Sequence, residues 1–128
     1  MNEKEDKLDI STIIVTYNSA EVILSCLKAL SSTRDCRFEI LIVDNASQDN
    51  TVSLAKEHCP EAHLIENKEN KGFGAANNQA LPLCRGDYIL FLNPDTMVQP
   101  DSLIHMMTYM KSHPDIGLAG AKMLYPDG

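Results

Sequence analysis

Short apolar runs alternate along the chain with longer amphipathic stretches. The apolar runs are rich in Ile, Val and Leu, which is typical of strands buried on both faces of a parallel sheet. They predict four strands at residues 10–16, 38–43, 62–66 and 87–92. A fifth strand is predicted to begin at Ile116 and to extend to Tyr125.

The stretches between the strands carry apolar residues at helical spacing. The predicted helices are residues 19–31, the segment that ends at Pro60, residues 73–84, and the segment from Pro100 to Pro114. Asn18 and Glu21 have the spacing of a capping box for the first helix. Pro82 is expected to end or kink the third helix near Leu81. Pro100 is expected to be the first residue of the fourth.

Strands that alternate with helices predict an α/β fold with a mostly parallel sheet covered on both faces. We expect a Rossmann-like three-layer α/β/α sandwich whose strands lie in the order 3-2-1-4, plus a further strand. Right-handed crossovers leave few other topologies. Residues 10–128 then form one domain that follows a charged leader, residues 1–9.

The charge of the chain narrows the classes of partner. A formal net charge of −7 argues against binding to nucleic acid or to an anionic membrane through bulk electrostatics. The start of the sequence lacks the apolar core of a signal peptide, and no apolar run approaches the ~20 residues of a membrane-spanning helix. We expect a cytoplasmic protein, with peripheral association at the inner face of the membrane as a variant. The four cysteines include no C-x-x-C pair, so we expect reduced thiols and no zinc site.

Polar clusters follow three of the predicted strands, and the expected strand order brings all three to one crevice. The clusters are Thr16–Tyr17–Asn18, Asp44–Asn45–Ala46–Ser47 and Asn93–Pro94–Asp95. Tyr17 offers a ring for stacking, Asp44 an acceptor for a base or ribose, and Asp95 a ligand for a hard cation that neutralises a diphosphate. Each cluster alone is equally compatible with a helix cap or a turn. Their shared position favours a nucleotide site.

With these residues in view, the chain resembles the nucleotide-binding half of family 2 glycosyltransferases, which are inverting enzymes with a GT-A fold. The resemblance is closest to the bacterial rhamnosyltransferase-like branch, and it extends from Ile10 to the end of the chain. It is carried by four motifs: Ile14–Val15–Thr16–Tyr17–Asn18, Val43–Asp44–Asn45–Ala46–Ser47–Gln48–Asp49, Asn70–Lys71–Gly72–Phe73–Gly74–Ala75–Ala76–Asn77–Asn78, and Leu92–Asn93–Pro94–Asp95–Thr96.

The resemblance implies a donor site for a UDP- or dTDP-sugar. Asp44 matches the carboxylate that reads the N–H of uracil or thymine. Gly72 and Asn77 match positions on the ribose and diphosphate side. Asp95 matches the acidic residue of a D-x-D motif that coordinates Mg²⁺ or Mn²⁺. The nucleotide-binding residues so implied are Thr16, Tyr17, Asn18, Asp44, Asn45, Ser47, Gly72, Asn77 and Asn93.

Two departures from the family pattern shape the expected activity. Asn93 replaces the first aspartate of the D-x-D motif, and an amide binds a cation less strongly than a carboxylate. Family members are also longer than this chain, and the inverting reaction needs a carboxylate that deprotonates the acceptor hydroxyl. Neither Asp115 nor Asp127 is a good candidate for that base. We therefore expect a fragment that binds the donor but does not transfer sugar to the glycan acceptor by itself.

Two functions of other classes compare with this one. A non-catalytic nucleotide-binding or interaction module is the alternative. A dinucleotide-dependent oxidoreductase is excluded, because the turn after the first strand has no glycine. The incomplete sheet also predicts a homodimer through an exposed sheet edge.

Overall fold

The computed structural model describes residues 7–128, so residues 1–6 of the expected leader lie outside the described residues. Four parallel strands form one sheet in the order β3-β2-β1-β4. They are β1 (Ile10–Thr16), β2 (Phe38–Asp44), β3 (His63–Glu66) and β4 (Tyr88–Leu92). The predicted strand order and the parallel sheet are confirmed.

The strand register brings the carboxyl ends of three strands to the same edge of the sheet. Thr16 at the end of β1 pairs with Asp44 at the end of β2, and Ile14 pairs with Leu92 at the end of β4. Every residue of β1 is buried, because β1 lies between β2 and β4 and is covered on both faces. We call this side of the sheet the carboxyl edge.

Helices cover the two faces unequally. The helices are α1 (Ile23–Ser31), α2 (Thr51–His58), α3 (Phe73–Ala80) and α4 (Ser102–Ser112). Apolar residues of α1, α2 and α4 pack in one cluster on one face of the sheet, whereas α3 packs alone on the other, through Ala76 and Ala80. The expected three layers are therefore present. As predicted from Pro82, α3 ends at Ala80 and continues as a 3₁₀ turn, Leu81–Leu83.

Two predicted helix starts were wrong. The first helix begins at Ile23 and has no side-chain cap. Asn18 does not cap it, because the Asn18 side chain accepts a hydrogen bond from Gln48 N–H in the next loop instead. The fourth helix begins at Ser102. Pro100 lies before it, where its carbonyl accepts a hydrogen bond from Arg34 N–H.

The predicted fifth strand is not formed. Residues 116–125 have no regular secondary structure, and Leu118 and Tyr125 are each 84% exposed. A β-favouring sequence becomes a strand only when a neighbour satisfies its backbone groups, and no strand of residues 7–128 pairs with this segment. Consequently β4 is an edge strand, and Ile89 and Phe91 on it are partly exposed.

At the opposite side of the sheet, where the strands begin, hydrogen bonds within the protein join β1 to β2 and to the segment before β4. We call this side the amino edge. The buried Ser11 hydroxyl donates to Glu39 Oε1 (2.6 Å) and accepts from Gly86 N–H (2.8 Å). The Arg85 guanidinium pairs with Glu39 at 3.0 Å. Partial burial raises the pKa of Glu39, but hydrogen bonds from Ser11 and Arg85 outweigh it and leave this pKa below its usual value. The backbone approaches so closely here that a β-carbon on Gly86 would lie 2.5 Å from Ser11 N.

The four cysteines form no disulfide in the structure, and Cys26 and Cys59 are buried. Among the described residues no helix is both long enough and apolar enough to cross a bilayer.

Candidate functional site

A buried carboxylate lies at the centre of the carboxyl edge. Asp44 is 2% exposed. Its Oδ1 accepts hydrogen bonds from the Thr16 hydroxyl (2.7 Å) and the Ser47 hydroxyl (2.6 Å). Its Oδ2 accepts one from Ser47 N–H (2.9 Å). A carboxylate offers about four acceptor positions, so these three donors leave one position on Oδ2 for a ligand.

Backbone conformation makes this arrangement possible. Ala46, between Asp44 and Ser47, has a φ of +65°, in the left-handed region that residues with a β-carbon rarely adopt. The left-handed residue turns the chain so that Ser47 N–H points back at Asp44. Strain of this kind costs on the order of 1–3 kcal/mol and clusters at functional sites.

Asn45 connects the carboxyl edge to the loop that precedes α3. It is 2% exposed, and its Nδ2 donates to the carbonyl of Gly72 (3.2 Å). Its Oδ1 accepts from Asn67 Nδ2 (3.0 Å) and from Lys71 N–H (3.3 Å). Asn45 therefore holds the loop of residues 67–72 against the end of β2.

Gly72 lies where that loop enters α3. Its φ of +84° and ψ of +166° are adopted almost only by glycine. The side chain of Asn77, one turn into α3, is buried. Its Nδ2 donates to Phe73 carbonyl oxygen (3.0 Å), while its Oδ1 is buried without a hydrogen-bond partner in the described residues. The segment thus carries an unused acceptor, which is unusual for a buried amide.

Tyr17 and Asn18 lie in the loop after β1. Tyr17 is 53% exposed. Asn18 is left-handed, with a φ of +47°. Its N–H donates to Ser47 Oγ (2.9 Å), and its Oδ1 accepts from Gln48 N–H (2.8 Å). Asn18 therefore joins the Tyr17 loop to the Asp44 loop.

Asn93 and Asp95 follow β4 at the same edge, one strand away from Thr16. Both are exposed, and no hydrogen bond joins either one to the Asp44 network among the described residues. The Asn93 carbonyl accepts from Thr96 N–H (3.1 Å) and contacts the Cys26 thiol (3.8 Å). Burial, and secondly the charge of Asp95, raises the pKa of Cys26 to about 12, so this thiol is neutral beneath the turn.

Asp95 would hold a divalent cation only if a bound ligand supplied further coordinating oxygen atoms. No group of three or more His, Cys, Asp or Glu residues in the described chain could hold a metal ion. Asp95 is an exposed carboxylate without an ion pair to any described residue. Mg²⁺ is commonly held by one or two carboxylates together with substrate phosphates and water. Asp95 matches that mode and not a site built from protein ligands alone.

The structure thus brings together seven of the residues singled out in the sequence, while Asn77, Asn93 and Asp95 lie outside their hydrogen-bond network. The seven are Thr16, Tyr17, Asn18, Asp44, Asn45, Ser47 and Gly72. Sequence reasoning missed the residues that hold the loops, chiefly Asp49, Thr51 and Asn67. The only available signal was the presence of Asp49 in the second motif.

The protein family of this chain can be identified from its sequence match to a family model. Residues 11–128 match the model of "Glycosyl transferase family 2". The chain belongs to glycosyl transferase family 2. The expected family is therefore confirmed, and the fold agrees with that of solved glycosyltransferase structures.

Three similar proteins illustrate the range of the family. Chondroitin synthase of Escherichia coli is 35% identical over 97 residues, which cover 73% of this chain and 14% of that protein. S. aureus TarS 1-349, solved in complex with UDP-GlcNAc, has a TM-score of 0.76 and 25% identity, with coverage of 84% of this chain and 32% of TarS 1-349.

The third is the mannosyltransferase PcManGT from Pyrobaculum calidifontis, solved in complex with GDP-Man and Mn²⁺. Its TM-score is 0.75 at 26% identity, with coverage of 81% of this chain and 32% of that chain. The family 2 chain described here thus spans about a third or less of the length of these relatives.

Replacing Thr16 with Val should destabilise the protein. The substitution keeps the shape of the side chain but removes one of three donors to the buried Asp44 carboxylate. We expect the free energy of unfolding, measured with urea, to fall by about 1–3 kcal/mol. Thr108→Val on the exposed side of α4 is the matched control and should change it by less than about 0.5 kcal/mol. Equal effects of the two substitutions would show that the Asp44 network is not tightly held.

Proposed function

We propose that this chain binds the nucleotide of a UDP- or dTDP-sugar at the carboxyl edge, as the donor-binding part of an inverting glycosyltransferase. The observation that carries the proposal is the free acceptor position on Asp44. The position lies on a buried, fixed carboxylate next to a strand end that also carries the exposed Tyr17 ring. A base with a ring N–H can donate to Asp44 while it stacks on Tyr17.

The ligands of the similar structures support this choice of base. TarS was solved with UDP-GlcNAc and PcManGT with GDP-Man. Uracil and guanine both present a ring N–H, as does thymine, whereas the ring nitrogens of cytosine and adenine at the corresponding edge are acceptors. A carboxylate held by three donors favours the first group, because it can only accept a hydrogen bond.

The remaining residues have proposed roles along the donor. Gly72 and Asn77 would line the ribose and diphosphate. Asp95, with Asn93 beside it, would hold Mg²⁺ or Mn²⁺ against the diphosphate. That cation would supply positive charge for the leaving phosphates.

The whole enzyme would pass a hexosyl or rhamnosyl group to a glycan acceptor with inversion, in cell-surface polysaccharide synthesis. We propose that this chain alone does not transfer sugar, because no carboxylate of its described residues is suited to deprotonate an acceptor. We propose a cytoplasmic location for this protein, either free or peripherally associated with the inner face of the membrane.

Calorimetric titration with nucleotides tests the proposed site. We expect UDP or dTDP to bind more tightly than CDP or ADP, and more tightly with Mn²⁺ than without it. Asp95→Asn should remove the Mn²⁺ effect while leaving metal-free binding unchanged. Asp115→Asn, which also removes one exposed carboxylate, is the matched control and should retain the Mn²⁺ effect.

Two outcomes, one of these titrations and one of an activity assay, would contradict the proposal. Absence of binding by every nucleotide would favour the alternative, an interaction module. Sustained release of UDP from a UDP-sugar by the chain alone, with transfer to an acceptor, would contradict the proposed lack of activity.

We also propose a homodimer through the unpaired edge of β4. That edge presents backbone hydrogen-bonding groups together with the partly exposed Ile89 and Phe91. Light scattering at high protein concentration should then give the mass of two chains. Phe91→Lys should return the mass to that of one chain, and a monomeric wild type would contradict the dimer.

A further inference from the structure

Asp49 lies in the loop after β2 and uses both of its carboxylate oxygens within the protein. Its Oδ2 accepts a hydrogen bond from Ala20 N–H (3.1 Å), which belongs to the loop after β1. Its Oδ1 accepts from Thr51 N–H (3.1 Å) and also from the Thr51 hydroxyl. Hydrogen bonds, first of all the one from the Thr51 hydroxyl, lower the pKa of Asp49, so the side chain is an anion at neutral pH.

Thr51 connects Asp49 by hydrogen bonds to Ser19, a second residue of the loop after β1. Thr51 is fully buried. Because its hydroxyl hydrogen points to Asp49, its lone pairs are free to accept from Ser19 N–H (2.8 Å). Ser19 Oγ in turn accepts from Tyr17 N–H (3.2 Å). A continuous series of hydrogen bonds therefore runs from Asp49 to the backbone of Tyr17.

The orientation of the Tyr17 ring depends on this backbone. Tyr17 is 53% exposed, and its ring stacks on no other ring among the described residues. Its hydroxyl has no hydrogen-bond partner there either. Since neither ring stacking nor a hydrogen bond holds the ring among the described residues, we take the path of residues 17–20 to determine where it lies relative to Asp44.

We propose that Asp49 is a positioning residue, which fixes the Tyr17 loop so that the ring is already placed to stack on a base before the nucleotide binds. This inference rests on the proposed nucleotide site at Asp44. Asp49 itself does not touch the nucleotide. It acts through Ala20, Thr51 and Ser19, and it reduces the ordering cost that a mobile loop would otherwise add to binding.

The first test measures UDP affinity by calorimetry in a double-mutant cycle of Asp49→Asn and Tyr17→Ala. An asparagine has one acceptor oxygen, and its amide group would face a donor, so the series of hydrogen bonds is broken without emptying the core. We expect Asp49→Asn to weaken UDP binding about tenfold. In the Tyr17→Ala background the same change should weaken binding less than twofold, because the ring that it positions is gone. Glu57→Gln, an exposed change on α2, is the charge-matched control and should leave affinity unchanged.

The second test needs no ligand. Amide hydrogen exchange of Ser19 and Ala20, measured by NMR, should be at least tenfold faster in Asp49→Asn than in the wild type, while amides of β1 keep their protection. Unchanged exchange at both residues would overturn the proposal.

The outcomes separate this proposal from the proposed function. If the wild type binds UDP and Asp49→Asn binds it equally well, the positioning role is wrong and the nucleotide site stands. The role is also wrong if the losses from Asp49→Asn and Tyr17→Ala simply add. If the wild type binds no nucleotide, the proposed function fails, and so does any role for Asp49 in positioning a base.

Discussion

The hydrogen bonding of one buried carboxylate, Asp44, is the interaction on which the rest of the carboxyl edge depends. Burial of a carboxylate costs several kcal/mol unless charged or polar partners replace the lost water. No cation pairs with Asp44 among the described residues. The cost is instead offset by three hydrogen bonds from Thr16 and Ser47, which are available only while the register of β1 and β2 and the left-handed Ala46 are kept.

The same requirement explains why the loops at this edge are held so firmly. Ser47 can serve Asp44 only if the loop after β2 keeps its path, and that loop is bound to the loop after β1 through Asn18 and Asp49. Asn45 extends the arrangement to the loop before α3. These hydrogen bonds hold the polar groups of the carboxyl edge in place, which under the proposed function lowers the entropic cost of binding a nucleotide. The amino edge of the sheet differs in this respect, because the Glu39 carboxylate there has hydrogen-bond and ion-pair partners within the protein, namely Ser11 and Arg85.

The sheet and the position of polar residues at its carboxyl edge could be predicted from the sequence, because both depend on local patterns. Continuous apolar runs predicted the four strands that form, and the polar residues directly after them predicted that Asp44 and Asp95 lie at the carboxyl edge. Predictions that depend on distant partners were less successful. Asn18 was expected to cap its own helix, but a loop 30 residues away offers it Gln48 N–H. Residues 116–125 have the composition of a strand but no neighbour in the described chain with which to pair.

The proposed function requires that Asp44 accept a hydrogen bond from a ring N–H of the nucleotide base. The most direct measurement compares the affinities of UDP and N3-methyl-UDP for the wild-type chain, with 5-methyl-UDP as the control for the added methyl group. The account predicts that methylation at N3 weakens binding at least about tenfold, since it removes the donor and leaves a buried acceptor unpaired, while methylation at C5 has little effect. Equal affinities for UDP and N3-methyl-UDP would contradict it.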